Sequence, residues 1–208
     1  MTIQNNKTIN DIDFGGLKRI DDTLHAQPRH KTPSVLDDDL ETPWPVYYKI
    51  ERETRVFFEL DPFASDQNAK CSYHFTKQTN AFATEWVLPD GRIPKGVFVN
   101  HPHSEHKRTL ETITRQYITY GFPIVDLCPV AVQGTTYWDY YVERFKIGSK
   151  PEYEKYQKFI KVFPYLGSIK FQKNGINTDY NSRNRYCIIQ WLRKVDCVPN
   201  INIRKYFK

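Results

Sequence analysis

No stretch of this 208-residue chain approaches the roughly 18 consecutive apolar residues of a membrane span. Its first residues are polar, not a charged start followed by an apolar run, so a secretory leader is not expected either. The expectation is a soluble protein of the cytoplasm. Close cysteine pairs are also missing. Cys71, Cys128, Cys187 and Cys197 stand far apart, without the spacing of a zinc site or a redox motif, and are expected to be reduced, buried thiols. Internal repeats and low-complexity tracts are absent, which leaves an ordinary globular domain. Acidic residues become scarce late in the chain. Residues 144–208 hold four Asp and Glu against 15 Lys and Arg, a net +11, whereas the first 143 residues carry a net −5.

What is present can fill a core. Hydrophobic residues make up 39% of the chain and aromatics 15%, more than a disordered segment carries, and the length suits one substantial domain. Residues 1–39 are polar, lack a sustained apolar period and read as a mobile arm with a small basic spot at Arg29, His30 and Lys31. Apolar, β-branched runs at 56–60, 96–99 and 122–127 then read as strands. Between the last two, Ser104 is placed to cap a helix whose Leu110, Ile113, Tyr117 and Ile118 fall near helical spacing, with Gly121 to end it. A helix is also expected after Trp44, a short aromatic one around Tyr137-Trp138 and another over 152–162. Strands are expected over 165–171 and 186–191, joined by a polar loop from about Lys173 to Arg185. Strands alternating with helices imply an α/β protein with an open, twisted, mostly parallel sheet and helices on both faces, whose ligands bind beyond the carboxyl ends of the strands.

Two motifs stand at such strand ends, Leu60-Asp61-Pro62-Phe63-Ala64-Ser65 and Asn100-His101-Pro102-His103-Ser104. Glu41-Thr42-Pro43-Trp44 precedes the first, and Asn68-Ala69 and Asn80-Ala81-Phe82 with Trp86 lie between them. In this order, and through Pro129-Val130-Ala131 and Thr136-Tyr137-Trp138 to Ile169-Lys170-Phe171, the chain resembles the phage-type DNA adenine-N6 methyltransferase (Dam-like) family over roughly residues 40 to 192. The resemblance implies a Rossmann-like fold that uses S-adenosylmethionine to methylate the exocyclic N6 of a flipped adenine in a short double-stranded DNA site, GATC by analogy with related enzymes. It implies that Thr42, Pro43, Asp61, Pro62, Phe63 and Ala64 hold the methionine and ribose parts of the cofactor, with Asn80 and Phe82 near the adenosyl moiety. The catalytic motif is then Asn100, His101, Pro102 and His103. The Asn100 side-chain oxygen and the next main-chain carbonyl would accept the amine's hydrogens, and the ring at 103 would stack on the base. The family pattern has Asp where Asn80 stands, Pro where His101 stands and Tyr where His103 stands.

The division that follows is an arm over 1–39, a cofactor-binding and catalytic core over 40–150, and a basic part over 151–208 that completes the sheet and recognises DNA. Lys173, Asn174, Arg183, Asn184 and Arg185 are the candidates there, since Arg and Asn suit base edges and Lys suits phosphates. No metal is expected, and the protein is expected to be a monomer. Two other readings stay open. A methyltransferase fold that has lost its chemistry would bind DNA or a partner. A metal-dependent nuclease could use His101, His103 and His106 with Glu105, although His101 and His103, two apart, need an extended backbone and no second ligand cluster is seen.

Overall fold

The computed structural model describes residues 38–165, 167–181 and 186–194. The expected arm up to residue 37, the recognition candidates Arg183, Asn184 and Arg185, and Cys197 lie outside these.

Six strands form the main sheet: β1 (Leu60–Asp61), β2 (Tyr73–His74), β3 (Val97–Val99), β4 (Ile124–Pro129), β5 (Ile160–Pro164) and β8 (Tyr186–Trp191), in the order β2-β1-β3-β4-β8-β5. β2, β1, β3 and β4 pair in parallel, whereas β8 runs antiparallel to both its neighbours, β4 and β5. The expected mixed α/β architecture with a mostly parallel sheet is therefore present.

Strand periodicity divides the core in two. Val97 and Val99 of β3, Ile124 and Cys128 of β4, and Cys187, Ile189 and Trp191 of β8 pack on one face with Leu110, Ile113 and Tyr117 of helix α2 (His106–Tyr120). Phe98, Val125, Leu127 and Ile188 face the other way, onto Val46, Tyr47 and Ile50 of helix α1 (Trp44–Thr54). Both faces are thus covered by helices. α1 opens on Pro45, a residue suited to a first turn that lacks intrahelical partners for its amides. α2 ends where Gly121 turns left-handed (φ 72°) and donates to the Tyr117 carbonyl at 2.8 Å, as its sequence indicates. Helix α3 (Thr136–Tyr141) is capped by the Thr135 hydroxyl, which accepts the Trp138 amide. Among the described residues no helix is long and apolar enough to cross a membrane.

Five expectations need correction. The strand expected over 56–60 is only Leu60–Asp61, with residues 56–59 irregular before it. Residues 152–162 do not form a helix: after a 3-10 turn at Pro151–Tyr153 the chain extends into β5, because Ile160, Val162 and Phe163 find their partners on β8. The strand expected over 165–171 starts only at Lys170, as β6 (Lys170–Lys173). The polar loop from 173 is a hairpin, β6 with β7 (Ile176–Asn181), turning on Asn174 and Gly175 at φ 52° and 73°, the left-handed pair that a two-residue turn requires. Ser104 does not cap α2. It lies in a 3-10 turn, His103–Glu105, and its amide and hydroxyl both bond to Asp38.

Candidate active site

β1 and β3 are parallel neighbours, so the turns after Asp61 and after Val99 emerge at the same end of the sheet. Between them opens a cavity of about 590 Å³.

The first wall is the turn after β1. The Asp61 side chain is buried and accepts two backbone amides, Phe63 at 3.2 Å and Lys70 at 3.4 Å, which fold the loop back on itself. Burial pushes its carboxyl up to about 6, partly offset by those amides. The loop is clipped to β2 by Ala64 donating to Phe75 and Phe75 donating to Asp61. Pro62, Phe63 and Ala64 line the cavity, while Asp61 supports them from behind. Thr42 and Pro43 are buried and stand outside the lining, and the Thr42 hydroxyl has no hydrogen-bond partner among the described residues.

Opposite lies the 79–86 segment. Asn80 is left-handed (φ 55°), and its side-chain oxygen accepts the Phe82 amide at 3.3 Å, so this asparagine shapes its own turn. Phe82 meets Phe63 edge to face at 5.2 Å and carries the Arg108 guanidinium on its face at 4.1 Å. The segment is moored to α2: Arg115 donates to the Phe82 carbonyl, and Gln116 bonds both the Thr84 carbonyl and the Trp86 amide.

The third wall carries the Asn100–His103 motif. Asn100 and Pro102 line the cavity. The Asn100 amide nitrogen donates to the Leu40 carbonyl at 3.5 Å, an assignment that leaves its oxygen available as an acceptor. His101 turns inward. Its Nδ1 meets Asp126 at 3.1 Å and its Nε2 meets His106 Nδ1 at 2.5 Å. His106 is held well below the usual imidazole range, at about 3, by burial and by the charges of His101 and His103. His103 is half-buried. Its Nε2 bonds the Tyr186 hydroxyl at 3.1 Å, and its ring stacks on His106 at 5.7 Å between centroids.

Asp126, His101 and His106 form a hydrogen-bonded chain, and the His103 ring stacks against its end. Among the described residues no group of three or more His, Cys, Asp or Glu is arranged to hold a metal.

A short strap, residues 38–41, lines the cavity and ties its walls together. Asp38 holds Ser104, and Asp39 pairs with Lys77 at 2.9 Å, which lowers the Asp39 pKa. Leu40 receives Asn100. Glu41 pairs backbone to backbone with Gln172, and its carboxylate accepts the amides of Asn174 and Gly175 at 2.9 and 3.1 Å. The hairpin tip, with Lys173 and Asn174, is thereby fixed at the cavity's edge.

Pro62, Phe63, Ala64, Asn80, Phe82, Asn100, Pro102, Lys173 and Asn174 are thus brought together around one space, while Thr42, Pro43, Asp61, His101 and the half-exposed His103 are not part of its lining. Sequence reasoning missed the strap, Asp126 and Tyr186. Only Asp126 left a signal, as a lone carboxylate in the apolar run Phe122–Leu127.

A family model described as DNA N-6-adenine-methyltransferase (Dam) matches residues 29–147, a span that includes all three walls just described. A search of curated proteins finds no match. With more than half of its length matched, the chain belongs to the DNA N-6-adenine-methyltransferase (Dam) family.

Proposed function

We propose that the protein transfers a methyl group from S-adenosylmethionine to N6 of an adenine flipped out of double-stranded DNA. The observation that carries the reading is the meeting of the β1 turn and the Asn100–His103 motif on one cavity of about 590 Å³, within the range of small-molecule sites. The residues present fit the cofactor. The Phe63–Phe82 pair offers aromatic faces to an adenine ring. Asp38, Asp39 and Asp66 line the space with negative charge suited to a ligand bearing ammonium and sulfonium groups. Asp61 holds the turn from behind, and Asn80 shapes the segment that presents Phe82. When bound, S-adenosylmethionine supplies an electrophilic methyl carbon.

The protein's own task is to hold the amine. The Asn100 oxygen and the carbonyl of residue 101 accept the two N6 hydrogens, which orients the nitrogen lone pair and stabilises the positive charge that grows on it. Pro102 stiffens the loop, and the His103 ring, fixed by Tyr186, offers a stacking face to the base. Lys173 at the cavity edge meets a phosphate and Asn174 a base edge, joined by Arg183, Asn184 and Arg185. The substituted motif keeps its order: His101 and His103 each have hydrogen-bond partners, which supports an active site over a decayed one.

Calorimetry with EDTA present should show saturable binding of S-adenosylmethionine, and incubation with duplex DNA containing GATC and other adenine sites should yield N6-methyladenine. Binding without transfer to any DNA would leave a DNA-binding protein with the fold alone. Failure to bind either the cofactor or its demethylated product would refute the reading.

A further inference from the structure

Residue 101 lies between two cavity-lining residues, Asn100 and Pro102, yet its side chain points into the core and is held at both ring nitrogens. The partners come from two rigid elements, Asp126 from the middle of β4 and His106 from the first turn of α2. Asp126 is fully buried on the face shared with Ile124 and Cys128, and its second oxygen has no hydrogen-bond partner among the described residues. An apolar side chain would fill such a core position at far less cost than a carboxylate. What the carboxylate does there is hold the His101 ring. No backbone amide among the described residues donates to the His101 carbonyl, which stays available as an acceptor.

We propose that Asp126 and His106 are positioning residues that act through the His101 imidazole: by fixing that ring they fix the main-chain carbonyl of residue 101 as an acceptor for the adenine amine. The inference rests on the methyltransferase reading above. A carbonyl carried by a loop would otherwise move with the loop. Anchored to β4 and α2 it moves only if the sheet and helix move. Phe63, from the cofactor wall, touches the same imidazole edge to face at 6.3 Å and closes off its remaining side.

The test measures methyl transfer to an adenine-containing duplex by the full-length protein, with calorimetric binding of S-adenosylmethionine and thermal denaturation alongside. Asp126→Leu should fold, bind the cofactor as the wild type does and lose about a hundredfold in kcat, the scale on which a misplacement of about 1 Å acts. Asp126→Asn retains an oxygen for the Nδ1 proton and should lose no more than about tenfold. In the double variant Asp126→Leu/His101→Pro, the proline ring fixes the backbone covalently and leucine fills part of the space the imidazole leaves. Its kcat should recover at least about tenfold over Asp126→Leu. Should Asp126→Leu fail to fold, His106→Ala removes the other anchor and should lower kcat about tenfold with cofactor affinity unchanged. Wild-type kcat in Asp126→Leu or in His106→Ala, a double variant no better than the single, or an Asn variant as poor as the Leu variant would each overturn the proposal. A wild-type protein that binds cofactor but methylates no DNA would instead overturn the reading beneath it.

Discussion

The two loops that build the cavity leave neighbouring parallel strands at the same end of the sheet, but they are held in opposite ways. The β1 loop organises itself: Asp61 receives the amides of Phe63 and Lys70, and Asn68 receives the amide of Ser65, all within nine residues. The β3 loop is held from a distance. Leu40 is 60 residues from Asn100, Asp126 is 25 from His101, Asp38 is 66 from Ser104 and Tyr186 is 83 from His103. A loop that only has to cradle a ligand can be folded by its own side chains. One that must present acceptors to a reacting nitrogen gains from anchors on elements that do not move with it.

The comparison breaks most visibly at Asn100. Its side chain is held at one end by the strap and is open to the cavity at the other, so Asn100→Ala removes an acceptor while leaving the β1 loop intact. Methyl transfer should fall about 10²–10³-fold, the cost typical of losing one preorganised group at a developing charge. Cofactor affinity measured by calorimetry should stay near that of the wild type. A parallel loss of cofactor affinity would mean that the two loops are one unit and that the contrast drawn between them is false.

The same contrast explains what could be read from the sequence. Asp61-Pro62-Phe63-Ala64 is legible because its bonds are local, and β8 is legible because Tyr186–Trp191, interrupted only by Gln190, is an apolar run buried on both faces. The stripe Leu110, Ile113, Tyr117 marks α2 for the same local reason. The Asn100–His103 motif could be located but not its supports, since no spacing rule links Asp126 or Tyr186 to it. Residues 152–162 read as helical because local pattern cannot show that β8 offers a pairing edge to Ile160 and Val162. Ser104 looks like a helix cap until Asp38 takes its hydroxyl. The Asn174-Gly175 turn, by contrast, is a local signal that was there to be read.

Acid titration sharpens the local half of the comparison. The Asp61 carboxyl titrates at about 6 in the folded protein against 3.8 ordinarily, because burial disfavours its charge. Between those values the folded protein keeps a proton that the unfolded chain has lost. The stability this provides is complete below about pH 4 and disappears as pH rises through 6, a change of at most about 3 kcal/mol. Asp61→Asn cannot ionise. The difference in unfolding free energy between wild type and variant should therefore change across pH 4–6 and be flat above it, as chemical denaturation at stepped pH would show. A difference constant across that range would place Asp61 in a more polar setting than its burial indicates.

His103 probes the long-range half with a smaller effect. Its Nε2 already reaches the Tyr186 hydroxyl at 3.1 Å, so the longer ring of His103→Tyr has to displace Tyr186 or rotate away from the base. Methyl transfer should drop about tenfold, a cost of the order of one stacking contact. Tyr186→Phe, which removes the oxygen in the way, should restore part of the loss in the double variant. If His103→Tyr alone matches the wild type, the pocket has more room than the Tyr186 contact implies, and His103 is not locked by it.

The smallest effect is expected at the hairpin tip, where the strap meets the proposed DNA surface. Lys173 lines the cavity edge on a turn that Glu41 grips through the amides of Asn174 and Gly175. If Lys173 meets a phosphate, Lys173→Ala should weaken DNA binding a few-fold at every sequence and reduce the slope of log affinity against log salt by about one. Glu41→Ala leaves the lysine's charge in place but frees the turn that carries it. It should weaken DNA binding with little change in the salt slope, because the missing contribution is preorganisation and not charge. Salt titrations of the two variants by fluorescence anisotropy separate these outcomes. Equal slopes in Lys173→Ala and wild type would remove the lysine from the phosphate contacts. A reduced slope in Glu41→Ala would mean that the strap holds the hairpin where its charge is felt, and that the two loops and the DNA surface share one latch.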